Sequence, residues 1–423
     1  MSSLFALVDC NNFYVSCERL FNPSIKNSPI VVLSNNDGCV VSRSQEAKDL
    51  GIKMAVPAFL IESVIKKHNI HVYSSNYALY GDISSRVMAT LETLAPELEV
   101  YSIDEAFLNL SGFTLMGSLA DYGKKIQKTV RQHVGVPVCV GMAPTKTLTK
   151  LANYAAKKYA ATGGVVDLSD PERQRKLMEI TPVDEVWGVG RKSAEKLKKI
   201  GIKTVLQLAQ MDLDRAHKRF SILMVKTIEE LNGTVRFDLE DNPVSKKQIM
   251  CSRSFAERMT DKEQVRETIC EFAARVAERL RGDGQVCSVV NVFIRTGVFS
   301  SVDPQYSNSA TAKLSVPTSD TRIILKAATD LFESIWKDGH RYAKSGVMLG
   351  DFCDKDKVQL DLFSQPSTQS ANEGLMSAID QINEGGRGKV WFGGQRPKED
   401  WFMRRAHLSP AYTTRWEDLP VVN

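Results

Sequence analysis

The stretch LEVYSIDEAFLNL, residues 98–110, places two adjacent carboxylates, Asp104 and Glu105, inside a run otherwise suited to a buried strand. Adjacent side chains on a strand point to opposite faces, so both carboxylates approach one point only if the strand breaks at their junction. We therefore predict two short strands that flank Asp104. Because two like charges held close raise each other's pKa and destabilise a fold, this arrangement also requires a compensating cation.

A third carboxylate is expected beside this pair, and Asp9 is the candidate. It ends LFALVD (4–9), a short apolar segment that predicts a first strand, and a sheet could bring it beside Asp104. Mg²⁺ takes oxygen ligands and often shares them with substrate phosphates. Two Mg²⁺ ions about 4 Å apart, bridged by Asp9 and Asp104 with Glu105 on one of them, would clamp both oxygens of an in-line phosphoryl displacement. Spacing alone leaves a turn or a solvated strand edge as the alternative.

Strand-like and helical segments alternate irregularly along the first half of the chain. This pattern favours a mixed α+β domain over a doubly wound one. The evidence is a set of apolar strand patterns and helical stripes, at 4–9, 29–35, 82–95, 119–130 and 136–143. Residues 183–233 then read as short helices separated by glycine, and 233–248 is polar and broken by Pro243, as in an interdomain linker.

From residue 252 a second α+β unit is predicted. A helical stripe at 261–282, strand patterns at 285–295 and 310–316, a second helix and a final strand give the order of a split βαβ domain. Beyond 353 the chain turns polar. Within it, 363–374 is expected to be flexible, and the last fifty residues give no clear pattern.

Composition sets the broad class. A chain of 423 residues suggests about three domains, and no apolar run is long enough to span a bilayer, so we expect no membrane association. The eight cysteines form no Cys-x-x-Cys pair, which argues against a disulfide framework and a zinc site and favours a reducing, cytoplasmic location.

Basic residues concentrate in two segments although the net charge is only +5. PTKTLTKLANYAAKK (144–158) and RKSAEKLKKIGIK (191–203) could follow a phosphate backbone, with Lys146 and Lys192 as candidate DNA contacts. A solvated helix face is the alternative for either segment.

The sequence resembles the Y family of translesion DNA polymerases from residue 4 to at least 352. The resemblance is carried by VDCNNFYVSCE around Asp9, by Ser-Ile-Asp-Glu at 102–105, and by CVVSRSQEAKDLGIKM, SSNYALYGDIS, GMAPTKTLTKLANYAAKK, VWGVG and CSRSFAERMTD. It implies an α+β multidomain, right-hand polymerase. The expected parts are palm and fingers at 1–180, a helical thumb at 181–235, a linker at 236–250, a split-βαβ little finger at 251–352 and a C-terminal tail at 353–423.

The same resemblance implies roles for individual residues. Asp9, Asp104 and Glu105 would be catalytic ligands of two Mg²⁺ ions, with the carbonyl of Cys10 as a further ligand. Tyr14 would be the steric gate that leaves no room for a 2′-hydroxyl, and Lys157 would meet the triphosphate of the dNTP.

Three further expectations concern contacts with the nucleotide or with DNA. Phe13 would pack near the incoming nucleotide, with core packing as the alternative. Many family members hold the β- and γ-phosphates of the nucleotide with a Tyr and an Arg in the fingers, and these positions are Gln45 and Lys48 here. Lys48 keeps the positive charge of the Arg but cannot bind a phosphate in the bidentate way that an Arg does. VWGVGRKSAEKLKKIGIKTV resembles a helix-hairpin-helix in which Gly188 and Gly190 let backbone N–H groups approach a DNA phosphate; a helix C-cap would also explain these glycines.

QLDLF (359–363) resembles the peptide by which bacterial polymerases bind the β sliding clamp. Gln359 would anchor it, and Leu360, Leu362 and Phe363 complete the pattern; an ordinary strand end is the alternative. The family resemblance also implies a UmuD′-type dimer and RecA as partners, docked on the C-terminal region.

We therefore expect an error-prone translesion polymerase that extends primer-template DNA during SOS mutagenesis and associates with the nucleoid when active. Two alternatives remain from the sequence. One is a catalytically silent DNA- and clamp-binding repair factor, which retention of the three carboxylates disfavours. The other is a nucleotidyl cyclase, which has no use for a thumb or a clamp peptide.

Overall fold

The computed structural model describes residues 3–113, 117–240, 245–298, 303–357, 367–385, 388–395 and 403–419. The chain forms two compact units. The first comprises residues 1–243 together with 406–423, and the second comprises residues 244–405.

The first unit contains most of the predicted elements. Its strands are β1 (Phe5–Cys10), β2 (Ile30–Leu33), β3 (Val40–Arg43), β4 (His71–Ser74), β5 (Leu98–Val100), β6 (Glu105–Asn109), β7 (Val138–Ala143) and β8 (Val165–Asp167). Its helices are α1 (Phe13–Leu20), α2 (Gln45–Asp49), α3 (Glu62–Lys67), α4 (Tyr77–Glu92), α5 (Leu119–His133), α6 (Lys146–Lys158), α7 (Pro171–Ile180), α8 (Arg191–Lys199), α9 (Val205–Ala209), α10 (Leu213–Arg219) and α11 (Ile222–Leu231).

The main sheet has the strand order β5-β6-β1-β7-β8. The predicted break at Asp104 is confirmed, because β5 ends at Val100 and β6 begins at Glu105. Strand β1 is buried along its whole length and pairs antiparallel with both β6 and β7. Its apolar residues pack with those of α1, α4 and α5 in the largest core of the unit. Asp9 and Glu105 therefore lie at one end of β1 and β6, two strands that each pair with a neighbour on both sides.

Helix α6 lies unusually close to the sheet because of one glycine. A Cβ on Gly141 in β7 would lie 2.3 Å from the backbone nitrogen of Asn153, so no larger residue fits there. The side-chain amide of Asn153 donates to the carbonyls of Leu7 and Cys139, at 3.2 Å each, and ties the helix to both strands. This contact fixes the height of α6 above the sheet.

Two smaller groups complete the first unit. A sheet of order β3-β2-β4 has its own small core. The short helices α8 to α11 share a core with α6 and α7, which takes residues from both sides of position 181. The boundaries predicted at 180 and 235 remain predictions.

The second unit has the predicted split βαβ order. Its elements are β9 (Gln248–Met259), α12 (Lys262–Gly282), β10 (Gln285–Thr296), β11 (Ser307–Thr318), α13 (Thr321–Ile335), β12 (Tyr342–Asp354) and α14 (Ser367–Glu384). The sheet has the order β11-β10-β12-β9, and apolar residues of α12 and α13 pack against it. Strand β9 begins inside the segment expected to be a linker, because Ile249 and Cys251 are buried in this core.

The expectation of a flexible stretch at 363–374 is wrong from Ser367 onward, where α14 begins. Its composition concealed the helix, because its large apolar residues Leu375, Met376, Ile379 and Ile382 begin only at its ninth position. The clamp-peptide residues Gln359, Leu360, Leu362 and Phe363 lie outside the described residues. Within the described part of the chain, no helix combines the length and apolar character that a bilayer crossing requires.

Candidate active site

The sheet register brings the predicted carboxylates to one place. Asp9 in β1 lies directly opposite Glu105 in β6, and the backbone N–H of Cys10 donates to the carbonyl of Asp104 at 2.8 Å. Asp9 is almost fully buried, at 3% exposure, whereas Asp104 and Glu105 are half-buried. The strand break thus allows adjacent residues to approach the same strand end.

Ser102 organises the turn at this break. Its hydroxyl donates to Asp104 Oδ1 at 2.6 Å and accepts from the backbone N–H groups of Glu105 and Asp104, at 3.1 and 3.3 Å. A serine in this position therefore both closes the turn and orients the Asp104 carboxylate.

The pKa values of Asp9 and Glu105 are shifted in opposite directions. The pKa of Asp9 is raised to about 8, mainly by burial and also by a hydrogen bond with Glu105, and Lys157 opposes the rise. Burial also acts to raise the pKa of Glu105, but the hydrogen bonds with Asp9 and Lys150 outweigh it and lower that pKa. A proton held on Asp9 and shared with Glu105 follows from these opposite shifts.

Two lysines of α6 lie against this pair. Lys157 donates to Asp9, and its predicted contact with a triphosphate stays a prediction; Lys150 donates to Glu105 Oε2 at 2.7 Å. Lys150 also lies over the rings of Tyr101 and Trp187, 4.3 and 6.0 Å from their centroids. Sequence reasoning missed Lys150. Its spacing of seven residues from Lys157, two turns of one helix face, was the available signal.

The donor set fits a hard divalent cation. Asp9, Asp104 and Glu105 meet here, and carboxylate oxygens are ligands that Mg²⁺ takes. Within the described residues, no three His, Cys, Asp or Glu side chains already converge as a metal cage. The reason is local, because Ser102 holds Asp104 and Lys157 holds Asp9. Burial raises the pKa of the Cys10 thiol, which keeps it protonated and limits Cys10 to its backbone carbonyl as a ligand.

The two aromatic residues after β1 have different surroundings. Phe13 is 3% exposed within the main core, which was the alternative weighed for it, and it has little surface for a nucleotide. Tyr14 is half-buried and stacks on Tyr80 with centroids 4.4 Å apart and planes 13° from parallel. Tyr77 meets the Tyr14 ring edge-on at 6.2 Å. The rings of Tyr80 and Tyr77 therefore hold Tyr14 in place while part of its surface stays exposed.

The fingers present a cluster of positive charge. Lys48 donates to Asn12 Oδ1 at 2.7 Å, and its pKa is lowered by burial and by repulsion from Arg43 and Lys157. Gln45 instead donates to Asp49 in its own short helix. Cations that repel each other in this way form a ready site for a polyanion. Arg43 belongs to this cluster, and the sequence prediction did not include it.

Comparison with known proteins gives the chain its family. The sequence matches the impB/mucB/samB family over residues 8–154, the C-terminal domain of that family over 246–362 and the IMS family HHH motif over 171–202. Protein SamB of Salmonella typhimurium is 47% identical over 419 residues, 99% of each chain. Protein UmuC of the same species is 46% identical over 418 residues, 98% of this chain and 99% of the relative.

More distant matches agree. DNA polymerase IV 2 of Bacillus subtilis is 30% identical over 387 residues, 88% of this chain and 90% of the relative. A solved Y-family DNA polymerase chimera of Dbh and Dpo4 has the same fold, with a TM-score of 0.66 at 20% identity over 82% of this chain and 98% of that one. The chain belongs to the Y family of DNA polymerases. Its enzyme class is DNA-directed DNA polymerase, a nucleotidyltransferase.

The helix-hairpin-helix of this Y-family polymerase lies in the part matched by the HHH motif. Gly188 has a φ of +85°, a conformation that side chains other than glycine rarely adopt. Gly190 precedes α8 as its N-cap, and both glycines and Lys192 are exposed. The turn therefore presents backbone N–H groups and a cation to solvent, as an anion contact requires.

Lys146 is the exception among the predicted DNA contacts of the Y-family chain. Its side chain is 4% exposed, donates to Glu99 and lies 5.0 Å from the centroid of the Phe107 ring. A lysine packed and paired in this way has no free charge for a phosphate, so the prediction for Lys146 is corrected. The error arose because a basic run was assigned as a whole, although one face of α6 packs inward.

The last part of the Y-family chain has no assigned role. Residues 373–422 match a domain of unknown function. Described residues of this part belong to both units, with α14 in the second and 406–419 in the first.

Proposed function

We propose that this Y-family polymerase performs template-directed addition of dNTPs to a primer 3′ end across damaged template, by two-metal phosphoryl transfer. The primer 3′-hydroxyl attacks the α-phosphate, and pyrophosphate leaves. The observation that carries the proposal is the meeting of Asp9, Asp104 and Glu105 at one strand end.

The carboxylates would hold two Mg²⁺ ions, with the Cys10 carbonyl as a further ligand. When bound, the metal ions supply charge stabilisation for the attacking and leaving oxygens. Asp9 must give up its shared proton before it can act as a ligand, and Ser102 can keep Asp104 oriented meanwhile. A bound Mg²⁺ would favour the ionised carboxylate of Asp9 and would so oppose the pKa rise that burial causes there.

Other side chains would bind and select the nucleotide. Lys157 contacts Asp9 and belongs to the same positive cluster as Lys48 and Arg43, so it can turn from the carboxylate to a triphosphate. Lys150 neutralises Glu105. Tyr14 would exclude a 2′-hydroxyl with its accessible face. These residues orient the dNTP and balance charge, which is most of what phosphoryl transfer asks of a protein.

Primer-template DNA would contact the hairpin at Gly188, Gly190 and Lys192 through phosphates, which gives binding without sequence preference. The β sliding clamp would bind the peptide at 359–363, and a UmuD′-type dimer and RecA would be further partners. A cytoplasmic enzyme that acts in SOS mutagenesis and associates with the nucleoid when active fits the similarity to UmuC.

The decisive experiment is primer extension by Asp104→Asn. Loss of one metal ligand should lower the rate about a hundredfold or more, since metal binding supplies several kcal/mol of transition-state stabilisation. DNA affinity, measured by fluorescence anisotropy at fixed salt, should change little because Asp104 contacts no proposed DNA surface. Asp121→Asn, the same substitution at an exposed residue of α5, is the matched control.

Full extension by Asp104→Asn would end the two-metal assignment. A wild-type chain that binds primer-template DNA and the clamp but extends no primer at any Mg²⁺ concentration, with or without RecA and a UmuD′-type protein, would favour the catalytically silent repair factor instead.

A further inference from the structure

The segment 406–419, in the domain of unknown function, packs against the first unit close to the start of α4. The backbone N–H of Ala406 donates to Asp37 Oδ2 at 2.8 Å. His407 exchanges hydrogen bonds with Ser74, from its N–H to Ser74 Oγ at 3.0 Å and from the Ser74 N–H to its carbonyl at 2.9 Å. Tyr412 stacks on Phe21 with centroids 4.5 Å apart. These contacts fix the segment at several points.

Ser409 is the most deeply engaged residue of this segment. It is 7% exposed, and Asn76 donates to its hydroxyl and to its carbonyl at 3.0 Å each. The same Asn76 accepts from the N–H of Leu79 as the N-cap of α4. The Ser409 hydroxyl in turn donates to Glu18 Oε1 at 3.0 Å. One serine near the C-terminus therefore touches both α4 and α1.

Glu18 connects Ser409 to the proposed sugar gate. It is 2% exposed, and its Oε1 also accepts from the Tyr80 hydroxyl at 2.6 Å. Tyr80 is fully buried, and Tyr14 stacks on it. Since Tyr14 is only half-buried, the ring beneath it decides where the exposed face lies. The contacts run without interruption from Ser409 through Glu18 and Tyr80 to Tyr14.

We propose that Ser409 is a positioning residue for Tyr14, so that the C-terminal segment helps to set discrimination between deoxyribose and ribose in the incoming nucleotide. Ser409 shares the Glu18 oxygen to which the Tyr80 hydroxyl is anchored. Without Ser409, that carboxylate is free to turn, Tyr80 follows it, and the stacked Tyr14 ring shifts. The proposal rests on the proposed function, because Tyr14 acts on a sugar only in a working polymerase.

The test is the ratio of kcat/KM for a ribonucleotide to that for the matching deoxynucleotide, measured with the full chain on undamaged primer-template. Ser409→Ala should raise this ratio about fivefold, the change that corresponds to one lost hydrogen bond. Ser409→Thr, which keeps the hydroxyl, should restore the wild-type ratio. Ser85→Ala, the same change at an exposed residue of α4 whose hydroxyl bonds only within its helix, should not alter it.

A double-mutant cycle with Tyr14→Ala identifies the route. Tyr14→Ala alone should raise the ratio more than Ser409→Ala does, and Ser409→Ala should add nothing in that background, because the ring it positions is gone. If Ser409→Ala lowers both kcat/KM values equally, Ser409 only supports folding and the proposal is overturned. An additive effect in the Tyr14→Ala background also overturns it.

Failure of the proposed function would look different. A wild-type chain without primer extension would refute the polymerase proposal itself, and a Tyr14→Ala chain with wild-type sugar discrimination would show that the gate lies elsewhere. Neither result depends on Ser409.

Discussion

At the scale of single residues, two buried carboxylates, Asp9 and Glu18, have raised pKa values. Asp9 is protonated more readily than an ordinary aspartate because burial opposes its charge. Glu18 shares that cause, and burial raises its pKa to about 6 despite hydroxyl donors from Tyr80 and Ser409. The two differ in what lies around them. Lys157 donates to Asp9 and would leave this carboxylate when a metal ion binds it. The neutral hydroxyls of Tyr80 and Ser409 donate to Glu18 and hold it in place.

Glu18 should make stability depend on pH. Its pKa rises from 4.5 to about 6 on folding, so its contribution is complete below pH 4.5 and is lost as the pH rises through 6. The difference in unfolding free energy between wild type and Glu18→Gln should therefore fall by about 2 kcal/mol from pH 4 to pH 7.5. Urea unfolding at each pH measures it.

The control for this prediction is Glu179→Gln, at an exposed glutamate of α7. Its difference from wild type should stay nearly constant over the same range. A Glu18→Gln difference that is equally flat would mean that Glu18 titrates in the folded chain as it does in the unfolded one.

At the scale of elements, α6 is the part on which the site depends. It carries Lys150 and Lys157, and Gly141 and Asn153 fix its distance from the sheet. Its first turn is held by Glu230 of α11, which is fully buried. Glu230 accepts from the N–H of Thr147 at 2.9 Å and from the N–H groups of Arg236 and Phe237, at 2.7 and 3.1 Å.

Loss of the Glu230 carboxylate should therefore destabilise the first unit. Glu230→Ala leaves three backbone N–H groups without their acceptor, which should cost about 3 kcal/mol of unfolding free energy. The neighbouring Glu229→Ala removes only a partly exposed ion pair with Arg236 and should cost about 1 kcal/mol or less. Urea midpoints of the two variants compare them directly, and equal losses would contradict the capping role.

Whether a feature of the fold or the site could be predicted depends on how far apart its residues lie along the chain. The break at Asp104, the strand of Asp9 and the order of the second unit follow from local patterns, and the structure confirms them. Lys146 was assigned to DNA and Lys150 was missed, because a basic run does not show which lysines face inward. The bond between Ser409 and Glu18 joins residues 391 positions apart, and neither side carries a local signal for it. Such contacts depend on tertiary packing alone.

At the scale of the whole molecule, the chain combines the Y-family fold with a C-terminal extension. The described parts of this extension belong to different units. In the second unit, Arg281 donates to both carboxylate oxygens of Asp380 of α14, from Nη2 at 2.6 Å and from Nε at 2.7 Å. In the first unit, Ser409 contacts Glu18 and Asn76. The extension is therefore integrated with the fold at two separate places.

The clamp peptide belongs to this scale, because its effect should be on processive synthesis rather than on chemistry. Replacing Leu362 and Phe363 by Ala should reduce primer extension in the presence of the β clamp and leave clamp-independent extension unchanged, since apolar anchors of this kind dominate peptide binding. Extension past an abasic site, with and without clamp, RecA and a UmuD′-type protein, measures this. An equal loss without the clamp would indicate a folding role for these residues.

The position of Ser409 has a consequence for how the enzyme comes into being. Domains fold as the chain leaves the ribosome, N-terminal parts first. The three carboxylates and both lysines of α6 are synthesised by residue 157, whereas Ser409 emerges only after the second unit has been made. A nascent or proteolytically shortened chain would thus hold its catalytic groups before it holds the contact that steadies Tyr14. Discrimination between the two sugars would then be assembled after the catalytic groups, and proteolysis before residue 409 would remove it while those groups remain.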